Sequence, residues 1–265
     1  MLMNKIGILI LVIALGACNL APTGFSASAD SQHNLPVTPS SHSYPSGSWQ
    51  HFLQHLPAKE GPVLDYSGNP VSNQQKHVAI VPYDVGTKDL QQCADALIRL
   101  RAEYLFSAGR YEEIGFHFTS GHLYRWKDYC KGLRPVIRGN SVAFSRLAAP
   151  GRQDHPSLRR YLDIVYTYAG TVSLARELQP TRELKTGTVI ITPGSPGHCS
   201  MIVDEATDGK GKKLFKLVEG FMPAQSIYIL KNPATENAPW YALEAGAPVE
   251  TSSYSFHHYK LGRFE

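Results

Sequence analysis

Residues 194–204 read GSPGHCSMIVD, in which a turn rich in glycine and proline leads into an apolar segment that begins at His198. Alternation along a strand would place His198 and Ser200 on one face and Cys199 on the other. A strand that only fills a core needs no titratable group at its first residue. We therefore interpret His198 as a candidate general base, and the open alternative is a turn histidine that hydrogen-bonds to the backbone.

The flanking sequence predicts the neighbouring strands. LKTGTVIITP (184–193) and LFKLVEGF (214–221) both resemble strands, and the turn DGKGKK (208–213) would pair the second of them with the strand that begins at His198. That pairing would bring Glu219 towards His198, where a carboxylate selects the imidazole tautomer and favours its charged form. The open alternative for Glu219 is a solvent-facing strand residue.

The strongest helix signal precedes these strands, from about residue 88 to residue 106. Asp89, with Gln92 three residues later, resembles a capping box at its start. Cys93 falls on the inward stripe of this helix, in the second turn under that assignment. A helix amino terminus and a nearby imidazolium lower the pKa of a thiol, so Cys93 is the candidate nucleophile. A core thiol and a disulfide partner are the alternatives.

The segment FHFTSGHLYRWKDYCKGLRP (116–135) mixes aromatic side chains with glycine, arginine and lysine. It predicts a strand that leads into a long loop beside a binding cleft. Trp126 and Tyr124 would stack on sugar rings, and Arg134 would pair with a carboxylate of the substrate. The open alternative is a loop packed by its own aromatic side chains.

The first residues, MLMNKIGILILVIALGAC (1–18), combine one positive charge, a short apolar core and the lipobox LGAC. The apolar core is shorter than the about 20 residues that span a bilayer. We expect a lipoprotein signal peptide over 1–17, whose removal leaves Cys18 as the lipidated first residue; an ordinary signal peptide is the alternative. Residues 18–47 would be the lipidated cysteine and a flexible tether, and 48–265 a single globular domain.

Composition restricts the partners and cofactors. The formal net charge is +4 without a clustered basic run, which predicts no nucleic-acid binding. We expect the chain to be exported and anchored through Cys18 to a bacterial membrane, facing the periplasm or the cell surface, with a cell-wall peptide or glycan as partner. No phosphate-binding glycine loop and no metal-ligand spacing such as HExxH is present, so we expect no cofactor and no metal.

Cysteine parity points to a free thiol. Without Cys18 three cysteines remain, and an odd number in an oxidising compartment leaves at least one thiol unpaired within the chain. Pairing among Cys93, Cys130 and Cys199 stays open, with Cys199 expected in the core.

A helix followed by a cluster of strands predicts an α+β domain. The ordered segments QQCADAL, TGTVIITP, PGHCSMIV and LVEGF resemble the papain-like amidases of the NlpC and CHAP kinds, over roughly residues 85–225. The resemblance implies a helix packed on an antiparallel sheet with an aromatic-rich insertion. It also implies a cysteine amidase or peptidase in which Cys93 attacks, His198 transfers the proton and Glu219 orients His198. The chain departs from the pattern at Thr188, where those amidases usually have aspartate.

A second resemblance covers nearly the whole domain and is carried by LQQCADALIRLRAEYLF, YAGTVSL, SPGH, MPAQSIYILKNP and PWY. These motifs are similar to an uncharacterised family of bacterial lipoproteins, classed as a domain of unknown function. Two functions are therefore expected as alternatives. One is hydrolysis of amide bonds in peptidoglycan peptides or another cell-envelope substrate. The other is a non-catalytic envelope module that binds a glycan, a peptide or a partner protein.

Overall fold

The structure, a computed structural model, describes residues 40–139, 141–235 and 239–265, which belong to one compact unit. The helices are α1 (Trp49–Gln54), α2 (Cys93–Ser107), α3 (Trp126–Cys130), α4 (His155–Tyr168) and α5 (Thr171–Glu177), with a 3₁₀ turn at Tyr111–Glu113. The first strands are β1 (Ser40–Ser41), β2 (His77–Val81), β3 (Gly115–His117), β4 (Leu123–Arg125), β5 (Leu133–Arg138), β6 (Ser141–Arg146) and β7 (Gln179–Pro180). The later strands are β8 (Thr188–Thr192), β9 (His198–Thr207), β10 (Lys213–Glu219), β11 (Ile227–Leu230), β12 (Trp240–Tyr241), β13 (Val249–Glu250), β14 (Ser255–Phe256) and β15 (Lys260–Arg263).

One antiparallel sheet organises the fold. Its strand order is β2–β11–β10–β9–β8–β15–β7, with β1 beside β9 and β12 beside β10. The predicted pairing across residues 208–213 is confirmed, because β9 and β10 pair antiparallel with a bulge between Lys216 and Leu217. The hairpins β3–β4, β5–β6 and β13–β14 lie apart from this sheet. The architecture is therefore mixed α/β with mostly antiparallel strands, as the α+β prediction requires at this level.

Both faces of β9 are buried. Cys199 and Met201 lie in the core shared with α2, whereas Ile202 lies in a second core with Phe215 on the other side of the sheet. The two faces predicted from alternation are thus confirmed.

Helix α2 is buried around its circumference rather than along one stripe, since every residue from Cys93 to Leu105 is buried. It contacts β9 and β10 on one side and α4 and α5 on the other. Arg99 is only 1% exposed, and its guanidinium pairs with Glu103 at 2.6 Å and with Asp84 at 2.9 Å. A charged side chain enters a core of this kind only when it is paired and hydrogen-bonded.

The helix begins at Cys93 and not near residue 88 as predicted. Gln92 is extended, with φ −94° and ψ −157°, and its backbone N–H donates to the Asp95 carboxylate at 3.1 Å. Asp89, expected to cap the helix, instead accepts the backbone N–H of Ala224 at 2.7 Å. Cys93 is therefore the first helical residue and lies where the helix dipole acts most strongly.

Segment 116–135 folds as strand, turn, strand, short helix and strand, which corrects the prediction of a strand and a long loop. The Phe118 backbone N–H donates to the His122 carbonyl at 2.9 Å, and Gly121 (φ +87°) allows the turn that joins β3 to β4. Strand β5 then pairs with β6 outside the segment. Backbone pairing, rather than aromatic packing alone, orders this insertion.

No helix among residues 40–139, 141–235 and 239–265 is long and apolar enough to cross a bilayer. The predicted signal peptide, Cys18 and residues 18–39 of the predicted tether lie outside the described residues.

The amino-terminal end of α2 lies against the end of β10, and a glycine permits the close approach. A Cβ atom at Gly220 would lie 2.8 Å from the Cβ of Ala96 and 3.3 Å from the carbonyl oxygen of Gln92. Position 220 therefore has no room for a methyl group unless α2 moves.

We predict that Gly220→Ala lowers the free energy of unfolding by about 1–3 kcal/mol, because the added methyl group overpacks the contact with α2. Denaturant unfolding of the full chain in detergent measures the change. Gly151→Ala is the matched control: a Cβ there meets nothing within 4 Å, so its effect should stay within about 0.5 kcal/mol. Equal losses in the two variants would contradict the packing argument.

Candidate active site

A cleft of about 480 Å³ opens between the amino-terminal end of α2 and the turn formed by residues 194–197. Cys93 lines this cleft, together with Tyr166 and Thr171. A larger cavity of about 690 Å³ lies beside β8 and β15, and neither Cys93 nor His198 lines it. We assign the candidate site to the smaller cleft, because reactive side chains and not volume identify a catalytic site.

The turn before β9 is held by the first residue of α5. Thr171 Oγ1 donates to the Gly194 carbonyl oxygen at 3.1 Å and accepts the Gly194 N–H at 3.2 Å. A Cβ atom at Gly197 would overlap Thr171 Oγ1 and would lie 2.7 Å from the Gly194 nitrogen. Only glycine fits at position 197, and the tight turn brings this residue, which lines the cleft, directly before the buried His198.

The three predicted catalytic residues lie together. His198 Nε2 lies 2.9 Å from Glu219 Oε2, so the predicted approach of these side chains is confirmed. The Cys93 thiol lies close enough to the imidazole for each group to shift the other's pKa. The ring nitrogen that Glu219 does not engage is Nδ1. The Cys93 sulfur also lies 3.8 Å from the Gly197 carbonyl oxygen. The catalytic roles of these residues stay predictions.

Glu219 is fully buried and is not the solvent-facing residue that the alternative required. Ser200 Oγ donates to its Oε2 at 2.8 Å, while Tyr228 Oη at 2.5 Å and Ser253 Oγ donate to its Oε1. Burial alone would raise the pKa of Glu219. The hydrogen bonds and the charge of His198 outweigh burial and hold that pKa below its usual value, so Glu219 is ionised.

Cys93 and His198 shift each other's protonation. Burial lowers the pKa of His198, but its hydrogen bonds with Cys93 and Glu219 outweigh burial and raise that pKa to about 9. The largest influence on the pKa of Cys93 comes from the thiol of Cys199, which lowers it. With the hydrogen bond and charge of His198, this influence overcomes burial and lowers the Cys93 pKa to about 5. At neutral pH the pair is therefore a thiolate and an imidazolium.

The described cysteines Cys93, Cys130 and Cys199 are all free thiols. Cys199 lies fully buried in the core beneath α2, as expected, but its influence on the pKa of Cys93 was not predicted. Burial raises the pKa of Cys199 and also that of Cys130, whose sulfur lies 3.6 Å from Ser157 Oγ. Only Cys93 among these three has the character of a nucleophile.

Trp126 and Tyr124 are buried, at 0% and 1% exposed, which corrects the prediction that they stack on a ligand. Trp126 Nε1 donates to Ser157 Oγ at 3.0 Å, and the Tyr124 ring packs against Tyr161 on α4. Helix α4 covers both rings, and a covered ring presents no face to a sugar. The alternative of a segment packed by its own aromatic side chains describes them better.

Arg134 is partly buried and lies outside the Cys93 cleft. Its Nη1 donates to the carbonyl oxygens of Tyr129 and Leu133, and its guanidinium stacks 3.8 Å from the centroid of the Tyr129 ring. It lines a neighbouring groove of about 500 Å³ together with Lys88 and Arg160. The structure therefore does not bring Arg134 together with Cys93.

Tyr228 and Ser253, which donate to Glu219, are functional candidates that the sequence did not single out. Tyr228 lies directly across from Glu219 in the β10–β11 pair, and strand register could have revealed it once β11 was placed. Ser253 comes from the carboxy-terminal segment, and no local pattern points to it. Within the part of the chain that the structure describes, no group of three or more His, Cys, Asp or Glu side chains is arranged to hold a metal ion.

Comparison with known proteins identifies a family whose function is unknown. The chain belongs to the family "Domain of unknown function (4846)". The match covers residues 30–263, and so includes Cys93, His198 and Glu219. No curated protein and no solved structure matches the chain. The chemistry of the cleft therefore rests on its own residues.

We predict that iodoacetamide alkylates Cys93 with a pH midpoint of about 5, because the thiolate is the reactive form. An ordinary thiol ionises only at about 8.5. Peptide-resolved mass spectrometry of the full chain in detergent measures the rate at each pH. His198→Ala should move the midpoint upward by at least about one unit. Cys130 is the internal control, since burial raises its pKa. A midpoint near 8.5 in the unaltered protein would refute the ion pair.

We predict that Glu219→Gln lowers the pKa of His198 from about 9 towards the ordinary value of about 6.5, because the amide no longer stabilises the imidazolium. Titration of the His198 ring by NMR measures the shift. Glu250→Gln, an exposed carboxylate that faces His257, is the matched control and should leave His198 unchanged. An unchanged His198 pKa in Glu219→Gln would show that the carboxylate does not act on the imidazole.

Proposed function

We propose that this protein is an exported, lipid-anchored cysteine amidase or peptidase with a papain-like fold. Its substrate would be the peptide part of peptidoglycan or another cell-envelope amide. The observation that carries the proposal is the cleft-lining Cys93 beside a buried His198, whose Nε2 lies 2.9 Å from the carboxylate of Glu219. The position of Cys93 at the start of a buried helix, against an antiparallel sheet that carries His198, supports the papain-like reading.

The reaction would proceed through a thioester. The Cys93 thiolate attacks the carbonyl carbon of the scissile amide, and the carbonyl π electrons move to oxygen. The tetrahedral intermediate collapses as the His198 imidazolium gives its proton to the leaving nitrogen. His198, now neutral, takes a proton from water, whose oxygen attacks the thioester and releases the carboxylic acid. The thiolate and the imidazolium are then restored.

The start of α2 would stabilise the oxyanion. The backbone N–H of Cys93, at the first helical position, has no carbonyl within its helix to which it can donate. Such a donor beside the nucleophile, reinforced by the helix dipole, suits the negative oxygen of a tetrahedral intermediate. The same N–H and helix dipole would stabilise the Cys93 thiolate before the reaction. The resting site would therefore already stabilise negative charge close to where the oxyanion forms.

Glu219 would act as a positioning residue. It does not line the cleft and it reaches His198 only through Nε2. Its other oxygen is held by Tyr228 and Ser253, so the carboxylate cannot turn away from the ring without breaking these hydrogen bonds. A fixed imidazole would keep Nδ1 available for the proton transfers that general acid and base catalysis requires.

The substrate class rests on the cleft and on the amino-terminal segment. A cleft of about 480 Å³ has the size of a small-ligand site, enough for a few residues of a peptide. The signal-peptide and lipobox pattern of residues 1–18 supports action in the cell envelope, where peptidoglycan peptides are abundant.

A non-catalytic binding module is the second candidate. The observation that favours it is the low exposure of Cys93, which is 8% exposed. In such a module the cleft would hold a peptide or glycan without covalent chemistry, and Cys93 would be a core thiol. The free thiol and its lowered pKa, to which Cys199 and His198 both contribute, favour the hydrolase.

We predict that the full chain in detergent hydrolyses muropeptides and that Cys93→Ala lowers the rate on the order of 1,000-fold or more. New amino and carboxyl ends, measured by liquid chromatography and mass spectrometry, report the reaction. Cys130→Ala is the matched control and should keep full activity, because its thiol lies outside the cleft. Retained hydrolysis in Cys93→Ala would refute the mechanism, and binding without hydrolysis in the unaltered protein would support the module.

A further inference from the structure

A second thiol lies beside the candidate nucleophile, and the hydrolytic mechanism does not use it. Cys199 is the second residue of β9, and its side chain enters the core on the face that α2 covers. Cys93 begins the helix that packs on this face of β9, and its sulfur lies 3.8 Å from the carbonyl oxygen of Gly197, two residues before Cys199. The two thiols are also close enough to shift each other's pKa. Two free sulfur atoms this close need only approach further to become bonded.

Access to the two sulfurs differs. Cys93 lines the cleft, whereas Cys199 is 0% exposed and does not line it. A small oxidant that enters the cleft therefore meets Cys93 first. Cys199 is then in place to react with whatever forms on Cys93, without meeting the oxidant itself.

We propose that Cys93 and Cys199 form an oxidation site, at which a hydroperoxide converts the two thiols into an intramolecular disulfide. The disulfide would be a modification of the nucleophile that is reversed by a dithiol reductant. Formation of this bond does not depend on hydrolysis. Its effect on catalysis rests on the proposed function.

The disulfide would form in two steps. The Cys93 thiolate attacks one oxygen of hydrogen peroxide, the O–O bond breaks, and a proton from the His198 imidazolium completes the leaving water, which leaves a sulfenic acid on Cys93. The Cys199 sulfur then attacks the Cys93 sulfur, and the S–OH bond breaks. The proton of the Cys199 thiol leaves with that hydroxide as a second water. Two sulfur atoms are oxidised, and both peroxide oxygens are reduced to water.

Cys130 is not placed for this reaction. It lies on α3, and its sulfur contacts Ser157 Oγ and the Arg152 carbonyl oxygen, each at 3.6 Å. It therefore provides a thiol of similar burial in the same chain that should stay reduced. A Cys130 that stays reduced while Cys93 and Cys199 are oxidised would distinguish a specific reaction of this pair from general oxidation of cysteines.

The disulfide would also remove the charge pair at the site. A bonded Cys93 has no thiolate, so it can neither attack a carbonyl nor stabilise the imidazolium of His198. The hydrolase would then be inactive until a reductant restores the thiols, and Cys199 would protect Cys93 from oxidation to sulfinic and sulfonic acids.

The test uses the reduced full chain in detergent, exposed to hydrogen peroxide at neutral pH. We predict a loss of two hydrogen atoms in the intact mass, a tryptic peptide that links Cys93 to Cys199, and full reversal by dithiothreitol. Cys199→Ala should instead accumulate Cys93 sulfinic acid that dithiothreitol does not reverse. Cys130→Ala is the matched control and should behave as the unaltered protein.

Peptide mapping of the unaltered protein tests for the Cys93–Cys199 disulfide even if Cys199→Ala does not fold. Sulfinic acid on Cys93 without a cross-link, a cross-link to Cys130, or a Cys93 that peroxide leaves unchanged would each overturn the proposal. Because the readout is mass, a failure of muropeptide hydrolysis leaves this result intact. Where hydrolysis is observed, its loss on oxidation and its return on reduction should follow the fraction of disulfide.

Discussion

The buried carboxylate of Glu219 is the constraint on which the site depends. An ionised carboxylate removed from water costs several kcal/mol unless hydrogen-bond donors replace the solvent. Here the donors come from different parts of the chain: His198 and Ser200 on β9, Tyr228 on β11, and Ser253 near the carboxy terminus. Satisfying one charge therefore requires the centre of the sheet and the carboxy-terminal segment to meet at one point.

The character of Cys93 follows from a competition between burial and hydrogen bonding. Burial opposes charge on both the thiol and the imidazole, and each would be neutral if it were buried alone. The contact with Cys199, the carboxylate of Glu219 and the mutual attraction of Cys93 and His198 outweigh that penalty. The result is a thiolate–imidazolium pair in a mostly buried site. A thiolate of this kind is suited to attack carbonyls and is, for the same reason, open to oxidation.

Two close approaches bring these groups together. Gly220 lets the start of α2 lie against the end of β10, and Gly197 lets the turn before β9 close on Thr171. Neither glycine carries chemistry, yet both set the distance between the helix that holds Cys93 and the strand that holds His198. The aromatic insertion packs away from these two approaches, since Trp126 and Tyr124 contact α4.

The sequence by itself determined strands β8 to β10 and the meeting of His198 with Glu219, because alternation and a short turn are local signals. It determined neither the start of α2 nor the environment of Trp126. Asp89 looked like a helix cap, but its partner is the backbone of Ala224, far along the chain. The placement of Cys93 and Cys199 in one core was decided only by the tertiary structure. Packing of α2 on β9 joins residues whose spacing in sequence carries no periodic signal, and burial and charge act only after that packing has formed.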